Sequence, residues 1–381
     1  MSSEDEEQAA AAAVPTAESV EPPVPQAPRQ KLVLSLEPGQ RFPLLKTVSQ
    51  TLMQGPSVSR SWLELLMVLT VEEVIPSDDP RAELAGRRRL GVRYQRVRYS
   101  HDIAGHRVVY NSTDSGREIP VDALPWHGLV NNSFSFWIGP DNQLVELVGF
   151  DEFLARCVRD VPAEHRRQVI ETLGETASQK HEGVANLVDD SIGMLPAGTG
   201  ADGGAWLTPG DRWTRERHVV RPIPMSLSNT YLLTQLTDQY AEIDVSGTIG
   251  AGVTFGPLAE QYSRVSVKVR GGQTAGVCRI DRRTGLPIHS QIDRTIQMSA
   301  TAPDGSAFDQ TKHIRSTIAV FQPGGEVHEL AGPAPRGALN GPGEAREKPR
   351  QEIIPAGAEA GSGAVRQAVY SDSPDAVQRP Q

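Results

Sequence analysis

Cysteine is scarce. Cys157 and Cys278 are the only two in 381 residues, too few for a disulfide framework. The expectation is two buried thiols acting as small apolar side chains, with pairing between them left open. Long apolar runs are missing too. No stretch of about 18 apolar residues occurs, so no membrane-spanning helix is expected. The start, Met1-Ser-Ser-Glu-Asp-Glu-Glu7, is acidic, whereas a signal peptide needs a basic n-region and an apolar h-region. No export signal is expected from it. A basic excess is also absent. Net charge is −9 overall, −5 over residues 1–30 and −2 over residues 324–381, which leaves −2 for residues 31–323. Phosphate-backbone binding requires a basic footprint, so a nucleic-acid partner is disfavoured.

Catalytic and cofactor signatures are missing as well. There is no His-x-x-x-His, no Cys-x-x-Cys and no Gly-x-Ser-x-Gly. Gly247-Thr-Ile-Gly-Ala-Gly252 and Gly198-Thr-Gly-Ala-Asp-Gly-Gly204 lack the spacing that cradles phosphate at a helix start, and read as flexible loops. No metal, no cofactor and no catalytic residue is assigned. The ends, 1–30 and 324–381, are rich in Pro, Ala, Glu and Gly and poor in large apolar residues. They read as disordered, because they cannot bury enough surface to offset ordering entropy.

What is present is β patterning. Val265, Val267 and Val269 alternate with Arg264, Ser266, Lys268 and Arg270, and Ala241, Ile243 and Val245 alternate with Glu242, Asp244 and Ser246. Such strands have one wet face, as in antiparallel sheets. Leu90, Val92 and Tyr94 share one parity and Val97 and Tyr99 the other, so a bulge is expected at Gln95-Arg96. Leu63 to Ile75 is nearly continuous apolar and reads as a strand buried on both faces. Ile288, Ile292, Ile296 and Met298 keep one phase in the segment Leu286 to Ala300. Roughly ten to fourteen strands are expected, enough that the sheet must curl or split.

Two frames recur. Pro38-Gly-Gln-Arg-Phe42 and Pro209-Gly-Asp-Arg-Trp213 share a Pro-Gly turn before Arg and an aromatic. Ile138-Gly-Pro-Asp-Asn-Gln-Leu144 and Ile280-Asp-Arg-Arg-Thr-Gly-Leu286 both read as short-looped hairpins. The order is the same in both halves. Residues 31–150 and 205–323 are therefore expected to be diverged copies of one β unit. Between them, residues 151–204 form a helical insert. Phe150, Phe153, Leu154, Cys157, Val158 and Val161 fall at helical spacing, with Asp151 at the N-cap position. Pro162 suits the first turn of a second helix, carrying Val169, Ile170 and Leu173 and ended by Gly174. A third piece covers Gln179 to Val188.

Five tryptophans are the large anchors, and Trp137 and Trp213 are the candidates for lining a ligand site. Asp189-Asp190 is the adjacent acid pair of the central region. It could bind a cation or supply a base; the plainer reading is a helix end with Asp190 and Ser191 capping the next turn. His289, Gln291 and Asp293 share one strand face that reads as solvated.

Leu34-Ser-Leu-Glu-Pro-Gly-Gln-Arg-Phe42, Phe136-Trp-Ile-Gly-Pro-Asp-Asn142, Asp189-Asp-Ser-Ile-Gly-Met-Leu-Pro196, Pro209-Gly-Asp-Arg-Trp213 and Ile280-Asp-Arg-Arg-Thr-Gly-Leu286 resemble an uncharacterised bacterial family, a domain of unknown function common in predicted secreted proteins and lipoproteins. The likeness covers roughly residues 31–323. It implies a cell-envelope setting and carries no activity.

The expected fold is mainly β: two related antiparallel units forming a large curved sheet or half-barrel, with helices packed between them. The expected function is non-catalytic binding of an apolar ligand, or of an envelope protein, on the curved sheet. The alternatives are a hydrolase using Asp189 or Asp190 with a nearby histidine, and a structural self-associating protein.

Overall fold

The structure, a computed structural model, describes residues 29–81, 83–114, 116, 118–174, 182–197, 204–219, 223–252, 266–302 and 304–320. The expectations for residues 1–28, for Gln179 to His181, for Gly198 to Gly203 and for the tail from 321 onward lie outside the described residues. So do Arg264 and Val265.

The first half contributes β1 (Gln30–Leu32), β2 (Arg41–Gln54), β3 (Ser57–Val74), β4 (Arg88–Ile103), β5 (His106–Asn111), β6 (Ser133–Ile138) and β7 (Leu144–Val148). A short 3₁₀ turn and helix α1 (Leu124–Leu129) come before β6. The middle holds α2 (Phe150–Cys157), α3 (Ala163–Gly174) and α4 (Glu182–Asp189), then a 3₁₀ turn over Ile192–Met194. The second half contributes β8 (Ala205–Leu207), β9 (Arg212–Val219), β10 (Met225–Leu236), β11 (Tyr240–Ala251), β12 (Ser266–Asp281), β13 (Pro287–Thr301) and β14 (Ala307–Val320).

Twelve strands make one sheet in the order β7-β6-β4-β3-β2-β14-β13-β12-β11-β10-β9, with β5 also on β4. Every pairing is antiparallel. β1 and β8 pair separately. Each half is a meander, and the halves join where β14 pairs β2.

The sheet curls. Eleven strands side by side span roughly 48 Å of arc. Yet Arg215, on edge strand β9, donates Nη2 to the carbonyl of Asp141 in the β6–β7 turn near the other edge, at 2.9 Å, and to that of Leu195 at 2.5 Å. Strand twist supplies the curvature, and burial of the inner face rewards it. β9 and β7 share no ladder, so the barrel stays open at this seam.

Inner-face residues from both ends of the sheet belong to one core. Phe136 and Ile138 on β6 share it with Leu233 on β10 and Ile243 on β11. Phe153 of α2, Val188 of α4 and Met194 fill it from within. Burying each such side chain stabilises by about 1.5–3 kcal/mol.

The two Pro-Gly turns make the same bonds. Gly39 donates its N–H to Val71 O at 2.8 Å and Val71 returns one to Gln40 O; Gly210 donates to Leu233 O at 2.7 Å and Leu233 returns one to Asp211 O. Both glycines have positive φ, 87° and 99°, which a side chain would oppose. The two hairpins also match in place. Leaving out the side strand β5, each joins the fourth and fifth strands of its meander. Their loops differ by one residue: Gly139 N–H bonds Gln143 O, whereas Asp281 N–H bonds Leu286 O.

Several local readings hold. Gln95 is the unpaired residue where the β3–β4 register shifts. Of the stretch Leu63 to Ile75, β3 is buried or half-buried on both faces as far as Val71, and Glu72 and Glu73 are exposed. His289 and Asp293 lie on the outer face, where Gln291 and Arg315 bond Asp293.

Others are corrected. Gly149, at φ 69°, is the N-cap of α2, and Asp151 lies inside its first turn. Gly247 to Ala251 are part of β11 rather than a loop, because β10 pairs with all five and β12 pairs with Gly247 to Ile249. Ile288 sits at a register shift and points outward, leaving the phase of Ile292. Ile170 is exposed on α3, while Val169 is buried. Helix α1 falls inside residues 31–150, the stretch read as the first β unit, where no helix is expected.

Candidate functional site

The inner face is not uniformly apolar. A polar row crosses five strands by direct pairing: Arg215 on β9 opposite Asn229 on β10, then Gly247 on β11, Thr274 on β12 and Arg294 on β13. At the usual strand spacing the row is roughly 19 Å long. On one side of it lies the main core. On the other lies a second apolar cluster of Val219, Leu227, Ile249, Val269, Ile296 and Met298.

The end of α4 drops onto this row. Asp190 is 3% exposed and pairs with Arg294 at 2.6 Å. Asp189 pairs with Arg217 of β9 at 2.5 Å, and Asn186 Oδ1 accepts from the same guanidinium at 2.8 Å. Two carboxylates at a helix C-terminus oppose the macrodipole, so the arginines opposite them are needed to hold the turn. Lys46 of β2, also buried, adds a further cation.

The two acids titrate in opposite directions. Burial pushes Asp189 upward, and Arg217 offsets this only partly because the charge of Asp190 adds to the rise. Burial acts on Asp190 in the same sense, but Arg294 and Lys46 outweigh it and hold its carboxyl below the usual range. Burial lowers the Lys46 ammonium, against the pull of Asp190. Arg294 is raised: burial opposes its charge and Asp190 overcomes that.

Polar groups at this level lack partners. Arg215 Nη1, Arg294 Nε, Asn229 Oδ1 and the Thr274 hydroxyl are buried without a hydrogen bond, whereas the Ser316 hydroxyl supports Asp190 and the Ser290 hydroxyl, further along β13, supports Cys278. Thr274 is 3% exposed. Buried orphans of this kind are rare in folded proteins.

Of the residues singled out from sequence, three converge here. Trp213 stacks on Tyr231 at 5.8 Å and donates its indole N–H to Met194 O, beside Asp189 and Asp190. Trp137 lies on the outer face, between the inward Phe136 and Ile138. Asp190 does not cap the following turn; Ser191 Oγ instead donates back to Leu187 O. The groups that dominate the surroundings of the two acids are Arg217, Arg294 and Lys46, with no histidine among them. Lys46, Arg215, Arg217 and Arg294 were not singled out. Their signal is a cation in apolar phase: Lys46 with Phe42 and Leu44, Arg294 with Ile292 and Ile296.

Elsewhere, Tyr110 Oη and His127 Nδ1 are 2.7 Å apart beside a cleft of about 240 Å³ under β5. Tyr99 Oη meets His101 Nδ1 at 2.9 Å, and Asp122 lies 3.6 Å from His101 Nε2. These pairs tie the α1 region to β4 and β5. Cys157 and Cys278 are both free and buried, and burial pushes each thiol up to about 12. Among the described residues no helix is long and apolar enough to cross a membrane, and no group of three metal-ligating side chains occurs.

No curated protein matches the chain. Among solved structures, it is similar at 10% identity and TM-score 0.40 to a lipovitellin chain studied for lipid–protein interactions; the match covers 76% of this chain and 26% of that one. The outer membrane channel DcaP of Acinetobacter baumannii is similar at 7% identity and TM-score 0.13, over 74% of this chain and 96% of the channel. A DUF1329 family protein of Desulfovibrio piger is similar at 8% identity and TM-score 0.10, over 74% and 85%. A family match runs over residues 85–287, more than half of the chain, and by it the chain belongs to the Family of unknown function (DUF6263).

Proposed function

We propose that this chain is a binding protein that holds an apolar ligand inside its curled sheet. One observation carries the reading. Inner-face residues of β9 to β13 form an apolar cluster that, among the described residues, contains strand residues and Ile223 but no helix residue. Leu52, Met225, Val267 and Ile314 around it are only partly buried. α1, α2 and α4 pack instead against β4, β6 and β7. An inner surface of this kind, bounded by a few convergent polar groups, suits a mostly apolar ligand. Asp189 and Asp190 stand at its polar boundary, and Trp213 packs against the main core across the row. The envelope setting implied by the resemblance is part of this reading, and a protein segment is the other occupant that would suit the same face.

The same reading takes residues 31–150 and 205–323 as copies of one β unit flanking the 151–204 insert. The matched bonds of the two Pro-Gly turns and the matched hairpin positions support it.

The test uses the full chain and the neutral probe N-phenyl-1-naphthylamine, with native mass spectrometry and solvent extraction of freshly purified protein. Saturable probe binding at about one site, or a co-purifying apolar molecule, is expected. No saturable binding and no extractable molecule would overturn the reading.

A further inference from the structure

We infer that edge strand β9 is the ligand's gate: Trp213, Arg215 and Arg217 latch it across the seam, and its release opens the inner face. This deepens the proposed function and rests on it.

Neighbouring strands of the sheet are held by ladders, and β9 shares eight antiparallel pairs with β10. Its other edge is different. Among the described residues no ladder crosses the seam. Side chains of three alternate, inward residues of β9 make the contact there. Trp213 Nε1–H donates to Met194 O at 3.1 Å. Arg215 Nη2–H donates to Asp141 O at 2.9 Å and to Leu195 O at 2.5 Å. Arg217 Nη1–H donates to Asp189 Oδ2 at 2.5 Å and to Asn186 Oδ1 at 2.8 Å. Apart from Asp141, these acceptors all lie in the short stretch 186–195, so one displacement of β9 breaks them together. Elements tied by a few side-chain bonds open at lower cost than a laddered core, and gating elements are drawn from them.

The latch adjoins the apolar surface. Val219 is the next inward residue of β9 after Arg217, and it belongs to the second cluster. Leu227 of the same cluster is the ladder partner of Arg217, and Met225, which packs on that cluster, is the partner of Val219. Drawing β9 away from α4 therefore opens a path directly to Val219 and Leu227. The main core offers no such path, because Phe153, Val188 and Met194 fill it from within.

The experiment follows association and release of N-phenyl-1-naphthylamine by stopped-flow fluorescence in the full chain. Arg215→Met and Arg217→Met should each raise the association rate constant about tenfold, because a less stable closed state opens more often. Release should speed up as well. Loss of a mere binding contact speeds release and leaves association where it was. Trp213→Phe deletes one seam bond and keeps the ring stacked on Tyr231, so it keeps the test open if the arginine variants fail to fold. It should raise the association rate constant about twofold. Unchanged or slower association in Trp213→Phe and in each arginine variant that folds would overturn the gate and leave the apolar site standing, with entry at an end of the curled sheet. Failure of the probe to bind the unaltered chain would overturn both.

Discussion

At the scale of the residue, the pair Asp189-Asp190 shows how environment separates identical side chains. Asp190 meets two cations and is held ionised; Asp189 meets one and sits beside its neighbour's charge. Removing one partner of a buried pair leaves the other charge uncompensated. Asp190→Asn should therefore cost about 3 kcal/mol in urea unfolding. Asp189→Asn should cost less than about 1 kcal/mol, because its charge is less favourably placed. The pH dependence differs in sign. The depressed Asp190 contributes stability that is present above the unfolded carboxylate value of about 3.9 and is lost as pH falls through its lower folded value. The raised Asp189 acts oppositely and gains as pH falls through its folded value. Asp190→Asn should thus flatten the acid side of the stability curve, and Asp189→Asn should steepen it. Equal losses and parallel curves in the two variants would contradict this account. The acid pair was visible in the sequence. Its partners were not, since Arg294 and Lys46 lie far away in the chain and are brought to it by β13 and β2.

At the scale of the element, the turns were the most legible features. Pro-Gly before a β pattern predicts a turn with positive φ at glycine, and both Gly39 and Gly210 adopt it. A Cβ at either position would meet nothing within 4 Å, so only backbone strain opposes a side chain there. Gly39→Ala and Gly210→Ala should each cost about 1–2 kcal/mol in thermal or urea unfolding. Similar values at both positions would agree with two copies of one unit. A loss at one alone would count against equivalence. Strand alternation was also legible wherever one face is wet, as in Ala241 to Ser246. It failed at Gly247 to Ala251, where glycine suggested a loop although both neighbouring strands supply ladder partners. It failed again at Ile288, where a register shift turns an apolar residue outward. Single-sequence periodicity has no access to ladder partners or register.

At the scale of the whole molecule, the seam between β9 and the β6–β7 turn is the closing contact. One guanidinium, Arg215, bonds carbonyls from the turn and from the segment after α4. Hydrogen bonds from charged donors contribute about 1.5–3 kcal/mol each, and an exposed fraction lowers this. Arg215→Met should reduce stability by about 2 kcal/mol. It should speed amide exchange in β9 and in residues 139–143 while β3 and β4 stay protected. A uniform change across the sheet would mean that the seam is not a separate opening unit.

The sequence by itself determined the class of the fold. Period-two patterning, Pro-Gly turns and a switch to helical spacing at Phe150 specify an antiparallel β protein with a helical insert, because side-chain direction along a strand or helix is a local property. It also determined which acids stand at the end of α4. Only the tertiary structure decided that the sheet curls until its edges share one arginine, that Trp137 faces out while Trp213 faces in, and that four cations lie on the inner face. Those outcomes depend on strand order, register and curvature. Each brings together residues 20 to about 250 positions apart, and no local pattern in a single chain encodes such pairings.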